Sequence, residues 1–328
     1  MGSGDLNAGA VLVTGGNGFV GRALVAHLLG KQARPVVAAV RRADAEVPTG
    51  ARKVVVAGLD SRTDWAGALA GVEQVVHAAA RVHVMAEAAS DPLAEFRRVN
   101  VEGTLALAEQ AARAGVRRFV FISSIKVNGE QTRPGCPFDA EQPARPVDPY
   151  GISKHEAEQG LRRLAQASGM QLVIIRPVLV YGPGVAANFA SMMRWLQRGV
   201  PLPLGAVDNR RSLVSLGNLV DLIGVCLEHP QAAGQTFLAS DGEDLSTPEL
   251  LRRMAHALGR RARLLPVPPA WLALAGRLTG RTPVVQRLLG SLQVDIHKNH
   301  QLLGWQPSVA VDQALQATAT HFLESRRT

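Results

Sequence analysis

A glycine-rich turn joins an apolar strand to a helix near the start of the chain. The run Ala10–Thr14 predicts a buried strand, and Phe19–Leu29 has the pattern of a helix. Between them, Gly15, Gly18 and Gly21 permit a tight turn, a close approach of backbone to a ligand, and close packing of helix on strand. Because the N-terminus of a helix presents N–H groups and a positive dipole end, this turn predicts a pyrophosphate site.

Strands and helices alternate after this turn. Further apolar runs predict strands at Pro35–Val40, Lys53–Val56, Gln74–Ala78, Arg118–Ile122 and Gln171–Arg176. Helical periodicity covers Pro92–Ala114 and stops at Gly115. This alternation predicts an α/β fold with a Rossmann-type doubly wound parallel sheet and a smaller C-terminal α/β substrate lobe.

The domain boundaries follow from where the alternation weakens. We expect a dinucleotide-binding domain over residues 8–178 with a return segment at about 212–240, and a substrate-binding lobe over 179–211 and 241–328. Within this lobe, Ser246-Thr-Pro-Glu249 is a capping-box start for a helix. The segment Pro266–Pro283 mixes apolar residues with proline and glycine, and we interpret it as a packed helix rather than a lid or a membrane-facing helix.

Composition and charge exclude several classes of protein. The net charge is +9, but only 4% of residues are aromatic and no basic stretch is interleaved with aromatics, so we expect no nucleic-acid partner. No apolar run is long enough for a membrane span, and the first residues do not resemble a secretory signal. Cys136 and Cys226 have no metal-binding spacing. We therefore expect a cytoplasmic protein without a metal site.

A serine, a tyrosine and a lysine have a spacing that suits carbonyl or alcohol chemistry. Tyr150 and Lys154 lie one helical turn apart, downstream of the pair Ser123-Ser124. The positive charge of the lysine favours a phenolate, so we expect it to lower the pKa of Tyr150 towards neutrality.

The charge at the end of the second strand bears on the cofactor. Arg41 and Arg42 stand where an acidic residue would hold the ribose 2′-hydroxyl of NAD. Arginine at this point suits the 2′-phosphate of NADP. NADP(H) is therefore favoured and NAD(H) is possible, unless both arginines simply point to solvent.

Taken together, the motifs resemble those of the extended short-chain dehydrogenase/reductase superfamily, in its nucleotide-sugar epimerase, dehydratase and reductase branch. The resemblance covers nearly the whole chain. It rests on Thr14-Gly-Gly-Asn-Gly-Phe-Val-Gly21, His77-Ala-Ala-Ala80, Val99-Asn-Val-Glu-Gly-Thr104, Ser123-Ser124, Tyr150-Gly-Ile-Ser-Lys154, Arg176-Pro177 and Val180-Tyr-Gly-Pro-Gly184.

The resemblance implies a role for each matching residue. Ser124 would hydrogen-bond the reacting oxygen, Tyr150 would exchange its proton, and Lys154 would hold the nicotinamide ribose. The implied cofactor contacts are Gly15, Gly18, Phe19, Val20, Gly21, Arg41, Arg42, Leu59, Asp60, Ala78, Ala79, Ala80, Asn100, Tyr150, Lys154 and Pro177. The implied substrate contacts are Arg81, His83, Ser124, Lys126, Tyr150, Asn188, Arg211 and Arg287.

Departures from the family pattern narrow the implied reaction. Ile125-Lys126 replaces the Asp-Glu pair of 4,6-dehydratases, whose water elimination needs a second acid and base. Gly58 replaces an acidic residue often found near the adenine, with Asp60 as a possible substitute, and Asn128 replaces a tyrosine. The departure at Ile125-Lys126 concerns the reaction, the one at Gly58 concerns the cofactor, and the one at Asn128 concerns sugar contacts.

The chain looks most similar to 4-ketoreductases and 4-epimerases of bacterial surface-polysaccharide pathways, in particular those making UDP-N-acetylquinovosamine. We expect NAD(P)H-dependent reduction of the C4 ketone of a UDP-4-keto-6-deoxy-N-acetylhexosamine. The alternatives are a UDP-sugar 4-epimerase acting on UDP-GlcNAc or UDP-Glc with bound NAD, and a reductase of a steroid-like carbonyl. The partner is thus a UDP-linked hexosamine, and relatives suggest a homodimer built from the helices Pro92–Ala114 and Tyr150–Ala167.

Overall fold

The predicted Rossmann-type α/β fold is confirmed. The computed structural model describes residues 9–32, 34–82, 91–133, 135–280 and 282–326. Within them, seven parallel strands form one sheet in the order β3-β2-β1-β4-β5-β6-β9. These strands are β1 Ala10–Thr14, β2 Val36–Val40, β3 Arg52–Val55, β4 Val72–His77, β5 Arg118–Ile122, β6 Gln171–Pro177 and β9 Thr236–Ala239.

A second, three-stranded sheet lies at the substrate side. It has the order β10-β8-β7, with β7 at Leu179–Tyr181, β8 at Arg211–Ser215 and β10 at Asp244–Leu245. The described α-helices are α1 Phe19–Lys31, α2 Ala66–Leu69, α3 Pro92–Arg97, α4 Gly103–Arg113, α5 Pro149–Ser168, α6 Ala187–Gln197, α7 Leu216–Glu228, α8 Thr247–Ala257, α9 Pro269–Leu278, α10 Thr282–Leu289, α11 His297–Leu303 and α12 Val311–Glu324.

Alternation along β1 explains why the large sheet is covered on both faces. Val11 and Val13 pack into the core that α1 and α7 cover, whereas Leu12 packs into the core that α4 and α5 cover. Successive side chains of a strand point to opposite faces, so a strand buried on both sides is apolar at every position. This accounts for the continuous apolar runs in the sequence.

The strand order places a crevice at the carboxyl ends of the strands. The order reverses between β1 and β4, and the chain leaves these two strands towards opposite sides of the sheet. In open α/β sheets, ligands bind at such a switch point. The glycine turn after Thr14 and the segment after His77 both begin at this crevice.

The small lobe has a core of its own. Residues of α6, α8 and α12 pack with Tyr181 and Leu213 of the small sheet. The helix predicted from the capping box begins at Thr247, and the Ser246 side chain accepts a hydrogen bond from Glu249 N at 3.2 Å. β8 belongs to the small sheet while α7 and β9 belong to the large unit, so the chain crosses between the two units more than once. The proposed domain boundaries stay a prediction.

Two helical segments differ from their prediction. The segment predicted as one helix over Pro92–Ala114 contains α3, a π-helical turn at Arg98–Glu102, and α4. The segment Pro266–Pro283, predicted to be one packed helix, contains α9 and the start of α10, and α9 exposes several apolar side chains. No helix of the described residues has the length and hydropathy of a membrane span.

Candidate active site

The glycine turn forms a tight cradle at the N-terminus of α1. A Cβ on Gly21 would collide with the carbonyl oxygen of Gly15, and Gly15 itself has φ +67°. No side chain caps α1 at Gly18, so among the described residues the first N–H groups of the helix, at Phe19 and Val20, are left to an anion. The cradle fits the pyrophosphate of a dinucleotide.

Two arginines and an aspartate follow β2, where a 2′-phosphate site is expected. Arg41 and Arg42 are both exposed, and Arg42 donates to both carboxylate oxygens of Asp44, with Nε 2.8 Å from Oδ1. Asp44 thus supplies an acidic group four residues beyond the end of β2, which the sequence reasoning overlooked. Asp44 thus compensates the positive charge of Arg42, one of the two arginines on which the NADP expectation depends.

The segment after β3 contacts the start of α4. A Cβ on Gly103 would lie 2.8 Å from the carbonyl of Leu59, so the Leu59–Asp60 backbone packs directly on α4. Asp60 Oδ1 accepts from Arg62 N at 2.9 Å and caps its own turn. Leu59 therefore has a fixed backbone beside the crevice, whereas the carboxylate of Asp60 is engaged locally.

A buried histidine fixes the segment Ala78, Ala79 and Ala80. The ring of His77 bridges Thr14 and Thr104, with Nδ1 2.7 Å from one hydroxyl and Nε2 2.9 Å from the other. Thr14 Oγ1 also accepts from Ala79 N at 3.1 Å. Burial, and secondarily the charge of Lys154, lower the pKa of His77 to about 3, so this ring is a neutral brace.

Asn100 joins the crevice to the helix that carries the tyrosine. It lies in the π-helical turn, a feature that is frequent at functional sites, and is 1% exposed. Its Oδ1 accepts from Arg81 N at 2.8 Å, and its Nδ2 donates to Arg81 O and to Ser153 Oγ. Asn100 therefore joins the segment after β4 to α5.

The structure brings Ser124 and Tyr150 together. Ser124 follows β5, Tyr150 lies in the first turn of α5, and the Ser124 hydroxyl is near enough to the phenol to lower its pKa. Phe96 contacts the tyrosine ring edge-on, with centroids 6.0 Å apart, and the guanidinium of Arg81 lies over the Phe96 ring. The hydroxyl of Ser124 and the phenol of Tyr150 are therefore neighbours at the carboxyl end of the sheet.

The pKa of Tyr150 moves in the direction opposite to our expectation. Burial, followed by the carboxylate of Asp148, raises the pKa to about 12, and the nearby Ser124 hydroxyl only partly offsets this. The expected lowering by Lys154 is wrong for this arrangement, because Lys154 Nζ donates to Ile122 O at 2.8 Å and lies 4.4 Å from the Phe121 ring centroid. Tyr150 is thus a protonated phenol at neutral pH.

Lys154 is buried, and its burial has a consequence for stability. Only 1% of its surface is exposed, and burial lowers its pKa to about 7, partly offset by Glu158. Between pH 7 and about 10.5 the unfolded chain consequently binds more protons than the native protein. The cost of burying the ammonium is complete below pH 7 and disappears as the pH rises towards the unfolded value.

We therefore expect Lys154→Met to stabilise protein from which nucleotide has been removed. The gain in the free energy of unfolding should be on the order of a few kcal/mol well below pH 7. It should shrink steadily towards pH 10.5. Denaturant unfolding of both proteins across this range measures it, and a gain independent of pH would contradict this account.

Lys126 supports the entrance of α5 rather than projecting freely. Its Nζ pairs with Asp148 and lies 3.1 Å from Glu130 Oε1, while Asp148 Oδ1 accepts from Gly151 N at 2.6 Å as the helix cap. A Cβ on Gly151 would lie 2.8 Å from Lys126 O, so only glycine permits this close approach. The pairing fixes the turn on which Tyr150 lies.

The predicted diphosphate arginine lies beside the helical pair α9 and α10. Arg211 Nη1 donates to Arg287 O at 3.0 Å and to Gly290 O at 2.9 Å. Burial lowers the pKa of Arg211; the charge of Glu130 opposes this, and the charge of Arg287 adds to it. The bonds to these carbonyls engage one nitrogen of the guanidinium and fix its direction.

The other predicted contacts are less closely assembled. Asn188 is exposed at the start of α6, the Arg287 side chain is exposed, and Pro177 ends β6. His83 lies outside the described residues.

A buried ionic network beneath the site was missed. Arg176 donates to both carboxylate oxygens of Glu158 and to Asn128 Oδ1, while Ser123 Oγ donates to Glu158 Oε1 at 2.6 Å. Asn128, which departs from the family pattern, is therefore a buried partner of Arg176. The signal in the sequence was a glutamate one turn beyond Lys154 on the same face of α5.

Comparisons with known proteins agree with this geometry. The model of the "NAD dependent epimerase/dehydratase family" matches residues 11–239. A UDP-glucose 4-epimerase of Vibrio cholerae is 48% identical over 317 residues, which cover 96% of this chain and 96% of that protein.

Solved structures show the same architecture. The UDP-glucose 4-epimerase of Thermus thermophilus in complex with NAD has a TM-score of 0.75 and 25% identity, covering 96% of this chain and 99% of that one. The Thermotoga maritima UDP-glucose 4-epimerase with UDP-glucose has a TM-score of 0.77 and 21% identity, covering 97% and 99%. This chain belongs to the NAD-dependent epimerase/dehydratase family and is an extended short-chain dehydrogenase/reductase enzyme that uses a nicotinamide cofactor.

Proposed function

We propose that this enzyme is a UDP-sugar 4-epimerase that interconverts UDP-glucose and UDP-galactose with bound NAD. The observation that carries the proposal is that Ser124 and Tyr150 are neighbours at the crevice, with Lys154 one turn away and no second acid–base pair after Ser124. The Vibrio cholerae relative supports the epimerase over the ketoreductase that we expected from the sequence.

The side chains suit a reaction that moves one proton on and off the C4 oxygen. Ser124 would orient this oxygen, and Tyr150 would exchange the proton with it. Lys154, one turn further along α5, would hold the nicotinamide ribose. Bound NAD would supply the oxidation of the C4 alcohol and its reduction from the opposite side.

We also propose NAD rather than NADP as the cofactor. The support is the pairing of Arg42 with Asp44, which engages the guanidinium that would otherwise bind a 2′-phosphate. An epimerase recycles its cofactor within each turnover and therefore needs no pool of NADPH. Nucleotide released by denaturing the purified enzyme, separated by chromatography, should be NAD without NADP.

Arg211 is proposed to bind the diphosphate of the substrate. A planar guanidinium donates to two phosphate oxygens at once, and the bonds to Arg287 O and Gly290 O leave further N–H groups for this purpose. Hydrogen bonds to charged groups are worth about 1.5–3 kcal/mol. We expect Arg211→Ala to raise KM for UDP-glucose by about 10–100-fold, with a smaller change in kcat.

The neighbouring arginine provides a matched control for this prediction. Arg210 is exposed, and its ion pair with Glu249 Oε2 is long, at 3.9 Å. Arg210→Ala should therefore leave KM close to wild type. Equal KM values for the two variants would exclude Arg211 from the substrate site. Loss of substrate binding in Arg211→Ala would argue against the steroid-like alternative, whose substrate has no diphosphate.

Product analysis without added reductant tests the function itself. Purified enzyme incubated with UDP-glucose should produce UDP-galactose, seen by proton NMR, and should do so without loss of absorbance by any added NAD(P)H. If UDP-glucose and UDP-GlcNAc are both unchanged, while a UDP-4-keto-6-deoxy-N-acetylhexosamine consumes NAD(P)H stoichiometrically, the enzyme is the ketoreductase. The homodimer stays a prediction that light scattering can test.

A further inference from the structure

The positive charge of this chain is concentrated in one segment. Residues 250–294 contain eight arginines and no aspartate or glutamate, which gives +8 of the net +9. The arginines are Arg252, Arg253, Arg260, Arg261, Arg263, Arg277, Arg281 and Arg287. The rest of the chain is thus nearly neutral as a group.

Most of this charge is not compensated by neighbouring carboxylates. Arg253 is paired with Glu243, Glu249 and Asp312. In contrast, six other arginines of the segment are exposed, and within the described part of the chain they form no ion pair. These six are Arg252, Arg260, Arg261, Arg263, Arg277 and Arg287. The segment therefore presents a strongly positive surface.

Helix α9, in the middle of this segment, exposes a stripe of large apolar side chains. Trp271 is 72% exposed, Leu274 is 56% exposed and Leu278 is 80% exposed. Their spacing of i, i+3 and i+7 places them on one face of the helix. We call this face the α9 stripe.

Packing fixes the α9 stripe in its outward orientation. On the opposite face of the helix, Gly276 lies against Val285 of α10, where an added Cβ would be 2.7 Å from Val285 Cγ2. Leu272 packs against the core of the small lobe. The strand-like segment before α9 is held by Leu265 N donating to Leu202 O at 2.8 Å. The stripe is therefore a built surface of the lobe.

We propose that the α9 stripe docks on a bilayer surface that contains anionic phospholipids. Tryptophan and leucine on one face of a helix insert at the headgroup boundary, and arginines around them attract anionic headgroups. The helix has 10 residues and would lie in the plane of the interface. The proposal is independent of the reaction that the enzyme catalyses.

The charge argues against a second copy of the chain as the occupant. A two-fold interface places the same patch on both subunits, so Arg277 of α9 and Arg287 of the adjoining α10 would lie near their own copies. Like charges opposed across an interface are unfavourable. An anionic lipid surface matches both the apolar stripe and the positive charge of the segment that carries it.

Vesicle sedimentation of the full-length enzyme tests this proposal. Wild type should sediment with vesicles of phosphatidylcholine and phosphatidylglycerol, at least about ten-fold more than with phosphatidylcholine alone, and less at high salt. The triple variant Trp271→Ser, Leu274→Ser, Leu278→Ser should lose at least about ten-fold of this binding. The variant Arg260→Gln, Arg261→Gln, Arg263→Gln should lose binding while its thermal unfolding midpoint is unchanged.

A matched control uses exposed apolar residues elsewhere. Val55 and Val147 are 49% and 71% exposed, and replacing both with serine should leave vesicle binding unchanged. The proposal is overturned if wild type does not bind phosphatidylglycerol vesicles, or if the triple serine variant binds as well as wild type. It is equally overturned if wild type stays in solution as a dimer that the triple variant dissociates, since the stripe would then be a self-interface.

Discussion

Tyr150→Phe is expected to lower kcat for C4 epimerisation by about 10²–10⁴-fold while leaving the bound cofactor in place. The substitution removes only the hydroxyl that neighbours Ser124, and the ring keeps its edge-on contact with Phe96. Burial already keeps the phenol protonated at neutral pH, so the variant loses a proton donor rather than a charge. Steady-state turnover of UDP-glucose and the nucleotide content of the purified protein measure the two halves of this prediction.

The second tyrosine of the chain is the control for this substitution. Tyr181 is fully buried, and its hydroxyl donates to Asp241 Oδ2 at 2.9 Å in the small lobe. Tyr181→Phe removes the same atom and should cost about 1 kcal/mol of stability without an effect on kcat. If Tyr150→Phe retains kcat within a few-fold of Tyr181→Phe, the proton is exchanged by another group.

Local sequence patterns predicted the fold because the cofactor crevice is made by short elements. The turn after β1 needs glycine at positions where a Cβ would collide, and β1 and β2 are apolar because the sheet is covered on both faces. Tyr150 and Lys154 could be placed together since a helix brings residues i and i+4 to one side. These features depend on neighbours in the chain.

Other features of the site depend on contacts that the sequence pattern does not encode. The direction of the Tyr150 pKa shift is set by burial and by Asp148, which is fixed in turn by Lys126. The effect of Arg42 is set by its pairing with Asp44. The exposure of α9 follows from which of its faces meets α10, and an apolar helical pattern alone does not distinguish a covered face from a bare one.

Glu158→Gln is expected to lower the free energy of unfolding by about 3–5 kcal/mol, the range for breaking a buried ion pair. The side chains of Arg176 and Glu158 are only 6% and 2% exposed, and the carboxylate also accepts from Ser123. The amide keeps the shape but removes the counter-charge, so the guanidinium of Arg176 stays in the interior without compensation. Equilibrium unfolding in urea measures the loss, from the midpoint and slope of the transition of the variant and of wild type.

Another glutamate of the same helix distinguishes burial from helix effects. Glu156 pairs with Arg97 at the surface of α5, where solvent screens the interaction, so Glu156→Gln should unfold close to wild type. Removing both charges in the variant Glu158→Met, Arg176→Met should restore much of the stability lost in Glu158→Gln, because no unpaired charge remains. Unfolding of Glu158→Gln at the same urea concentration as Glu156→Gln would show that the carboxylate of Glu158 contributes little to the fold. A double variant less stable than Glu158→Gln would instead show that packing around the network, and not its charge, stabilises the floor beneath Ser124.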